Sequence, residues 1–293
     1  PPNPFRCPPG PYERACQIAM YLQEKKPKSK LMIFDAKDKF SKMGLFTQAF
    51  DKYFKDTIEW VGASNGGAIT RVDAATNTLY AGDTAHKVDV ANVIPAQQAG
   101  AIAMKSGLTD DKGWCPIDGR TFESTMHKGI HVIGDASVAA PLPKSGYAAN
   151  SEGKTCAAAV VALFNGKEPG DPSLVNTCYS IVGKDYGISV AAVSMLAEDG
   201  SKIASVSSGL TPSDASAEQL KREVGASRAL VQPQRLEGGV TCPREALRRR
   251  DVPPGPVIDD GVGQCHPCRG QGIGRVLLDG LLEQRQPVRE ISR

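Results

Sequence analysis

The chain has 293 residues, of which 41% are hydrophobic, and it carries a formal net charge of +3. This content can bury a sizeable core, and the length predicts two domains. The charge is too small to indicate a nucleic-acid partner, and no apolar run approaches the roughly 18 residues of a membrane span. The composition therefore predicts a globular protein with no nucleic-acid partner and no membrane span.

Both ends of the chain differ from an ordinary globular domain. The sequence begins Pro1-Pro2-Asn3, with neither Met nor a charged-then-apolar leader, which is typical of a fragment or a processed protein. Residues 231–293 contain no lysine and no aromatic residue, and they are rich in Arg, Pro and Gly. Such a composition offers little with which to build a core. We predict that this tail is disordered or foreign to the domain before it.

The first part of the chain alternates between helical and strand-like patterns. Apolar residues spaced as on one helix face predict helices over residues 10–26 and 44–54. Short apolar or alternating runs predict strands at residues 30–34, 58–61, 68–73, 78–81 and 87–94. The order of helix, strand, helix and strand is typical of the later part of a Rossmann-like domain.

The second part begins with a polar connector and ends in strands. We predict a buried strand over residues 130–135 and a helix of small residues over 146–165. Strand-like runs at 176–182, 187–193 and 202–206 follow. These three strands predict a small β-rich C-terminal domain, so the expected fold class is α/β.

The end of the predicted 130–135 strand is the first candidate site. The strand ends at Gly134 and Asp135, and a loop then leads to the start of a helix. A glycine lets a cofactor come close to the backbone, and a carboxylate can accept a hydrogen bond from a ribityl hydroxyl. A helix N-terminus favours an electron-rich group. The alternative role for Asp135 is to cap the loop that follows it. The pattern is that of flavoproteins with two dinucleotide-binding domains, and it predicts flavin contacts from Gly134, Asp135, Lys144, Ser145, Gly146 and Tyr147.

Two cysteines are candidates for redox chemistry. Cys7 precedes two prolines and a glycine, whereas Cys178 lies far along the chain in a strand-like run. Because only the fold can bring them together, a buried structural thiol is the default role for each. The helix predicted to start near Pro11 would place positive potential close to Cys7, which favours a thiolate.

Other candidate ligands and bases are few. Glu13 lies in the first turn of the predicted helix, where it either complements the helix dipole or accepts a proton from an incoming thiol or hydrosulfide. Cys265 and Cys268 have C-x-x-C spacing, but no second ligand pair accompanies them in the tail. We therefore predict no metal site.

Several motifs together resemble one family. They occupy residues 4–14, 131–137, 144–150, 176–180 and 185–190. All of them resemble the flavoprotein subunit of flavocytochrome c sulfide dehydrogenase, and the resemblance extends from residue 1 to about residue 225. The chain is similar to sulfide:quinone oxidoreductases more distantly.

This resemblance implies a glutathione-reductase-like fold with covalently held FAD, export to the periplasm, and a c-type cytochrome (haem) subunit as partner. By resemblance, Cys7 and Cys178 match the redox disulfide above the flavin, Glu13 matches the active-site acid, and Asp135 matches the ribityl contact. The implied chemistry is attack of sulfide on the disulfide, which gives a persulfide and a free thiolate. Two electrons then pass through the flavin and leave singly to the cytochrome.

The resemblance also implies a division of the chain. Residues 1–100 match a second, NADH-domain-like Rossmann-type domain that is N-terminally incomplete, and residues 101–170 match the returning part of the FAD-binding domain. Residues 171–230 match a C-terminal flavin-binding and interface domain, and residues 231–293 form the tail. We expect the family's first FAD-binding section, its flavin-anchoring cysteine and its export signal to be absent from this chain.

Three other functions remain open. A sulfide:quinone oxidoreductase needs an amphipathic C-terminal membrane segment, which the Pro/Gly-rich tail does not supply. An NAD(P)H-dependent disulfide reductase needs G-x-G-x-x-G, where this chain has Cys-Pro-Pro-Gly-Pro-Tyr-Glu at residues 7–13. The third is a non-enzymatic remnant that only binds a cytochrome.

Overall fold

The N-terminal elements form a short parallel β-α-β unit preceded by a helix. In this computed structural model, which describes residues 1–231, helix α1 (Gly10–Lys25) leads to strand β1 (Leu31–Phe34). Helix α2 (Met43–Tyr53) then crosses over to strand β2 (Ile58–Val61), which pairs with β1 in parallel. All four elements were predicted from the sequence, and their ends differ from the prediction by one residue or none.

The largest core lies where these elements meet the C-terminal part of the chain. Its aromatic centre comes from α1 and α2, because the apolar positions of each helix repeat on one face and pack against each other. The buried members are Tyr12, Ala15, Cys16, Ala19, Leu45, Phe46, Ala49, Phe50, Phe54, Ile58, Val182, Tyr186, Ile188 and Leu220. Trp60 packs against this cluster, and Phe46 and Phe50 of α2 are buried in it, whereas Tyr53 at the end of α2 is 40% exposed.

A small antiparallel sheet follows β2. Its strands β3 (Arg71–Asp73), β4 (Thr78–Ala81) and β5 (Thr84–Lys87) pair in the order β3-β4-β5. The prediction of a strand over residues 87–94 was wrong, because the third strand begins earlier and ends at Lys87. Gly82 adopts a φ of +58° and forms a two-residue turn with Asp83. Strand β5 therefore begins directly after this turn and pairs with β4.

The connector from residue 100 to 145 contains little regular structure. Helix α3 (Ala101–Lys105) packs into a cluster with Trp114 and Cys115, which are both buried. The predicted buried strand over residues 130–135 was wrong. Within that range only His131 forms a bridge, to Glu123. Ile130 and Ile133 are 41% and 42% exposed, so this run is not buried.

The C-terminal half agrees with the prediction. Helix α4 (Gly146–Phe164) is followed by strands β6 (Ser173–Gly183), β7 (Tyr186–Leu196) and β8 (Ile203–Leu210), which form an antiparallel meander. All three predicted strands are confirmed, and each is longer than predicted. Helix α5 (Ala217–Val231) closes the described part of the chain.

A second core joins α4 to this meander. Its buried members are Phe122, Ala139, Leu142, Ala148, Leu174 and Ile203. The fold is therefore mixed α/β with several small sheets, as the fold-class prediction required. The division at residues 100 and 170 and the glutathione-reductase-like arrangement stay predictions, and the predictions for the tail, Cys265 and Cys268 lie outside the described residues. No helix among residues 1–231 combines the length and the apolar character that crossing a bilayer requires.

Candidate active site

The inner face of β6 carries a polar stripe. Alternate residues of a strand face the same side, and here this face reads Leu174, Asn176, Cys178, Ser180 and Val182. The two apolar residues at its ends are fully buried in the two main cores. Polar groups in the middle of a buried face need partners, and these partners assemble the candidate site.

Helix α1 lies along the free edge of β6. Because β6 is an edge strand, its outer backbone groups are not paired with another strand. Glu13 Oε1 accepts a hydrogen bond of 2.7 Å from the N–H of Ile181, and Gln17 Nε2 donates one of 2.8 Å to the carbonyl of the same residue. These two bonds fix the start of α1 beside Cys178, although Glu13 and Ile181 are 168 positions apart.

The backbone of Cys7 is held in a left-handed conformation just before α1. Its φ is +50°, which is uncommon for a residue other than glycine. The N–H of Cys7 donates to the carbonyl of Lys144 at 2.7 Å, and its carbonyl accepts from the N–H of Gly10 at 2.8 Å. A Cβ at Gly10 would lie only 2.9 Å from the Cys7 sulfur. A side chain at position 10 would therefore displace this sulfur, which lies over the first turn of α1.

The structure brings Cys7, Glu13 and Cys178 together, close enough that Glu13 affects the pKa of both thiols. Burial raises the pKa of the Cys7 thiol to about 11, and the nearby Cys178 and Glu13 add to this rise. Burial also raises the pKa of Cys178, a rise that Lys42 opposes and Glu13 reinforces. Both cysteines are free thiols here. Cys7 as a residue is solvent-exposed and the hydrogen bond from Gly10 acts to lower its pKa, so the expectation that the helix start favours a Cys7 thiolate stays a prediction.

Glu13 combines both roles considered from the sequence. It lies in the first turn of α1, where it complements the helix dipole. Burial raises its pKa, while hydrogen bonds from Ile181 and Ser180 and the charge of Lys42 oppose that rise. A carboxylate whose pKa is shifted towards neutrality is suited to exchanging protons with a thiol.

Lys42 is a site residue that sequence reasoning missed. It immediately precedes α2, and only 6% of it is exposed. Its Nζ donates to Ser180 Oγ at 2.9 Å and to the carbonyl of Cys178 at 3.1 Å. A lysine before a helix is usually solvated, so the sequence held no signal for this position. The alternation of polar residues in β6 was the one available sign that a polar partner had to be buried opposite it.

A second group of residues surrounds the turn at Gly134. The backbone of Gly134 has a φ of +72°, and a Cβ there would lie 3.3 Å from that of Ala149 on α4. Its N–H donates to Glu152 Oε2 at 2.5 Å, and the hydroxyl of Ser137 reaches the same oxygen at 3.4 Å. Glu152 is 2% exposed and was also missed. An acid within a helix of small residues was the signal that could have found it.

The carboxylate of Asp135 lies beside this turn without a partner. It accepts no hydrogen bond from any residue in the range 1–231, although the residue is half-buried. Burial raises its pKa, and the charges of Arg6 and Lys144 oppose the rise. Lys144 Nζ instead donates to the carbonyls of Asp135 at 2.7 Å and Ser137 at 2.8 Å. It also lies 3.8 Å from the centroid of the Trp114 ring.

The start of α4 lies next to the same turn. Ser145 caps the helix by accepting from the N–H of Ala148 at 3.1 Å, and its hydroxyl donates to Asn176 at 2.6 Å. Gly146 and Tyr147 are exposed. Their backbone N–H groups have no acceptor among the described residues, as expected for the first turn of a helix.

Two family models match the chain on either side of this turn. The model described as "Sulfide dehydrogenase [flavocytochrome c] flavoprotein chain, central" matches residues 1–95. The model described as "Flavocytochrome c sulphide dehydrogenase, flavin-binding" matches residues 170–231. The chain belongs to the family of flavocytochrome c sulfide dehydrogenase flavoprotein chains. At the level of the family, the activity is that of an oxidoreductase, a sulfide dehydrogenase.

FAD is the cofactor of this family, and the residues around Gly134 fit it. The unpaired carboxylate of Asp135 can accept a hydrogen bond from a flavin hydroxyl. The free N–H groups of Gly146 and Tyr147 can face the electron-rich edge of the ring. Lys144 and Ser145 use their side chains within the protein, so direct contact between these two residues and the cofactor stays a prediction.

Proposed function

We propose that this flavocytochrome c sulfide dehydrogenase chain oxidises sulfide at the Cys7–Cys178 pair, with FAD and a c-type cytochrome subunit as successive electron acceptors, in the periplasm. The observation that carries the proposal is the convergence of Cys7, Glu13 and Cys178, which lie at distant positions in the sequence. Two purely structural thiols would require neither a strained Cys7 backbone nor a partly buried carboxylate beside both of them.

The chemistry starts from the disulfide of the two cysteines. A hydrosulfide ion attacks one sulfur, the bond between the cysteines breaks, and a new S–S bond forms between the sulfide sulfur and the attacked cysteine. The other cysteine leaves as a thiolate that keeps the electron pair of the broken bond. Glu13 accepts a proton from hydrogen sulfide when that is the attacking species, or from the S–H group of the new persulfide.

FAD, when bound, supplies a two-electron acceptor that can return its electrons one at a time. The chain contributes the placement of that group. Glu152 and Lys144 fix the turn at Gly134, and Asp135 and the first N–H groups of α4 would hold the cofactor from that turn. The bond between Cys7 N–H and the Lys144 carbonyl ties the backbone of Cys7 to the segment that follows this turn. We also propose that the chain adopts the glutathione-reductase-like arrangement, because this placement of the cofactor requires it.

The hydrogen bonds of the acid that follows β1 argue against an NAD(P)H-dependent reductase. In a dinucleotide-binding unit, an acid at the end of the second strand binds the ribose hydroxyls. Asp35 follows β1, but it is 3% exposed. Its carboxylate already accepts hydrogen bonds from the hydroxyl of Tyr12, from Trp60 Nε1 and from both nitrogens of Lys37. Little capacity is left for a ribose.

The test is anaerobic reduction of the flavin-loaded protein, monitored through the visible absorbance band of the flavin. We expect sulfide to bleach the band, NADPH to leave it unchanged, and an oxidised c-type cytochrome to restore it. Failure of sulfide to bleach the band would contradict the proposal. Equal bleaching by NADPH would place the chain among the disulfide reductases, and reoxidation by a quinone but not by cytochrome would place it among the quinone oxidoreductases.

A further inference from the structure

Lys42 is buried without a carboxylate partner of its own. Neither the four salt bridges of residues 1–231 nor its hydrogen bonds join it to an acid. Its Nζ donates two bonds, to Ser180 Oγ and to the Cys178 carbonyl. An ammonium group has three donors, so one N–H of Lys42 has no acceptor in the described part of the chain. Burying a charge in this way is costly unless an anion forms nearby.

The backbone around Lys42 is strained in the same way as that of Cys7. Lys42 has a φ of +60° and Cys7 a φ of +50°, and only two other non-glycine residues of the described chain share a positive φ. Such conformations are energetically costly and concentrate at functional sites. Two of the four therefore border one cluster of thiols, which indicates that the position of the Lys42 ammonium is fixed by the fold.

The titratable neighbours of Lys42 are the groups of the proposed reaction and one further acid. Cys178 comes from β6, Glu13 and Cys7 come from α1 and the turn before it, and Glu223 comes from α5. Glu13 is partly buried, and a proton that it accepts from hydrogen sulfide neutralises its carboxylate while a cysteine thiolate forms. The ammonium therefore faces a negative charge that moves onto sulfur when the disulfide opens.

We propose that Lys42 is the positioning cation of this site, which holds the Cys178 segment of β6 and stabilises the thiolate released when sulfide opens the disulfide. This inference rests on the proposed function. The covalent step is the one already given, in which the S–S bond between the cysteines breaks and the leaving sulfur keeps its electron pair. Lys42 forms no bond to sulfur and transfers no electron. It acts through Cys178 and Ser180 by charge and by hydrogen bonds.

The first measurement is the pH profile of Cys178 alkylation. The flavin-loaded protein is reduced with a phosphine, and the rate of iodoacetamide modification of Cys178 is read by peptide mass spectrometry. Only the thiolate reacts. We expect Lys42→Met to move the profile to higher pH, so that Cys178 reacts about tenfold more slowly below its midpoint, which corresponds to a pKa shift of about one unit. Lys42→Arg should stay within about twofold of wild type.

Two variants separate charge from packing. Lys42→Gln removes the charge but keeps N–H donors, and it should shift the alkylation profile in the same direction as Lys42→Met. If Lys42→Met does not fold, Lys42→Gln provides the test. Glu13→Gln should shift it in the opposite direction, because Glu13 raises the pKa of Cys178. Lys52→Met is the matched control, since Lys52 is an exposed lysine on α2 that lies over Tyr53 and Tyr186.

An alkylation profile that both uncharged Lys42 variants leave unchanged would overturn the inference. So would an equal shift in Lys52→Met, because the effect would then be one of general surface charge. This readout requires no sulfide turnover, whereas the bleaching test of the proposed function does. A wild-type protein that fails to bleach overturns the proposed function, and an unshifted profile overturns the role of Lys42.

Discussion

The two halves of the candidate site differ in how complete they are. In the cysteine cluster, which consists of Cys7, Glu13, Lys42 and Cys178, the side chains of Glu13 and Lys42 bind the backbone of β6 and the hydroxyl of Ser180. In the flavin-facing segment, residues 134–147, the Asp135 carboxylate and the first N–H groups of α4 have no partner among the described residues. Apolar side chains beside it, such as Val138, are also largely exposed.

This difference reflects the chemistry proposed for each half. A cluster that changes charge during a reaction benefits from partners that are held in place before the reaction starts. A surface that binds a large cofactor must leave its donors, its acceptors and its apolar area free for that cofactor. The cysteine cluster is therefore expected to control rate, and the flavin-facing segment to control cofactor affinity. The predictions below test this separation.

The largest effect is expected from Cys178→Ser. A hydroxyl cannot form the disulfide or leave as a stable anion, so sulfide-driven bleaching of the flavin band should fall by about a thousandfold or more. The flavin content of the purified protein should be unchanged. Cys156→Ser on α4 is the control, because Cys156 packs beside the second core, away from the cysteine cluster. Full retained activity in Cys178→Ser would mean that the cysteine pair is structural.

A smaller effect is expected from Glu13→Gln. Since burial raises the pKa of Glu13 above 4.5, the wild-type rate should fall as the pH drops through that raised pKa and the carboxylate becomes protonated. The variant should lose this acid limb, and its rate near neutral pH should be about a hundredfold lower. Stopped-flow bleaching at a series of pH values measures both effects.

The same raised pKa affects the stability of the protein. Protonated Glu13 favours the folded state, so this contribution is fully present below pH 4.5 and is lost as the pH rises through the folded-state pKa. Glu13→Gln should therefore make the free energy of unfolding, measured by denaturant titration, less dependent on pH in this range. Glu24→Gln, which lies on the same helix in an exposed pair with Lys25, is the control and should change neither profile. A Glu13→Gln rate profile that keeps its acid limb would assign the proton transfer to another group.

The smallest effect is expected from Asp135→Ala. Loss of one hydrogen bond to the cofactor should weaken FAD binding about fivefold to tenfold, as measured by titration of the flavin-free protein. The alkylation profile of Cys178 should not move, because Asp135 is not among the groups that act on that thiol. Asp111→Ala, an exposed acid of the connector, is the control. A large loss of sulfide activity at saturating FAD would show that the two halves are not separate.

Local patterns predicted the helices and the longer strands because each of these elements has a clear periodicity and clear ends. Helix α1, for example, has an apolar face and ends before Pro27. The strand predicted at residues 87–94 failed because the Gly82 turn, a local signal, was overlooked. The strand predicted at residues 130–135 failed for a different reason. An apolar run becomes a strand only when a neighbouring strand pairs with it, and the described residues give Ile133 no such neighbour.

The sequence by itself determined the family motifs, the order of the elements and the identities of the candidate cysteines, since these depend on residue type and spacing. Only the tertiary structure decided which groups meet. Packing of α1 against the free edge of β6 brings Glu13 to Cys178, and the turn before α2 buries Lys42 against Ser180. Contacts between residues more than a hundred positions apart depend on how buried faces pack. That is why the position of the Lys42 charge beside Cys178 had no counterpart in the linear pattern.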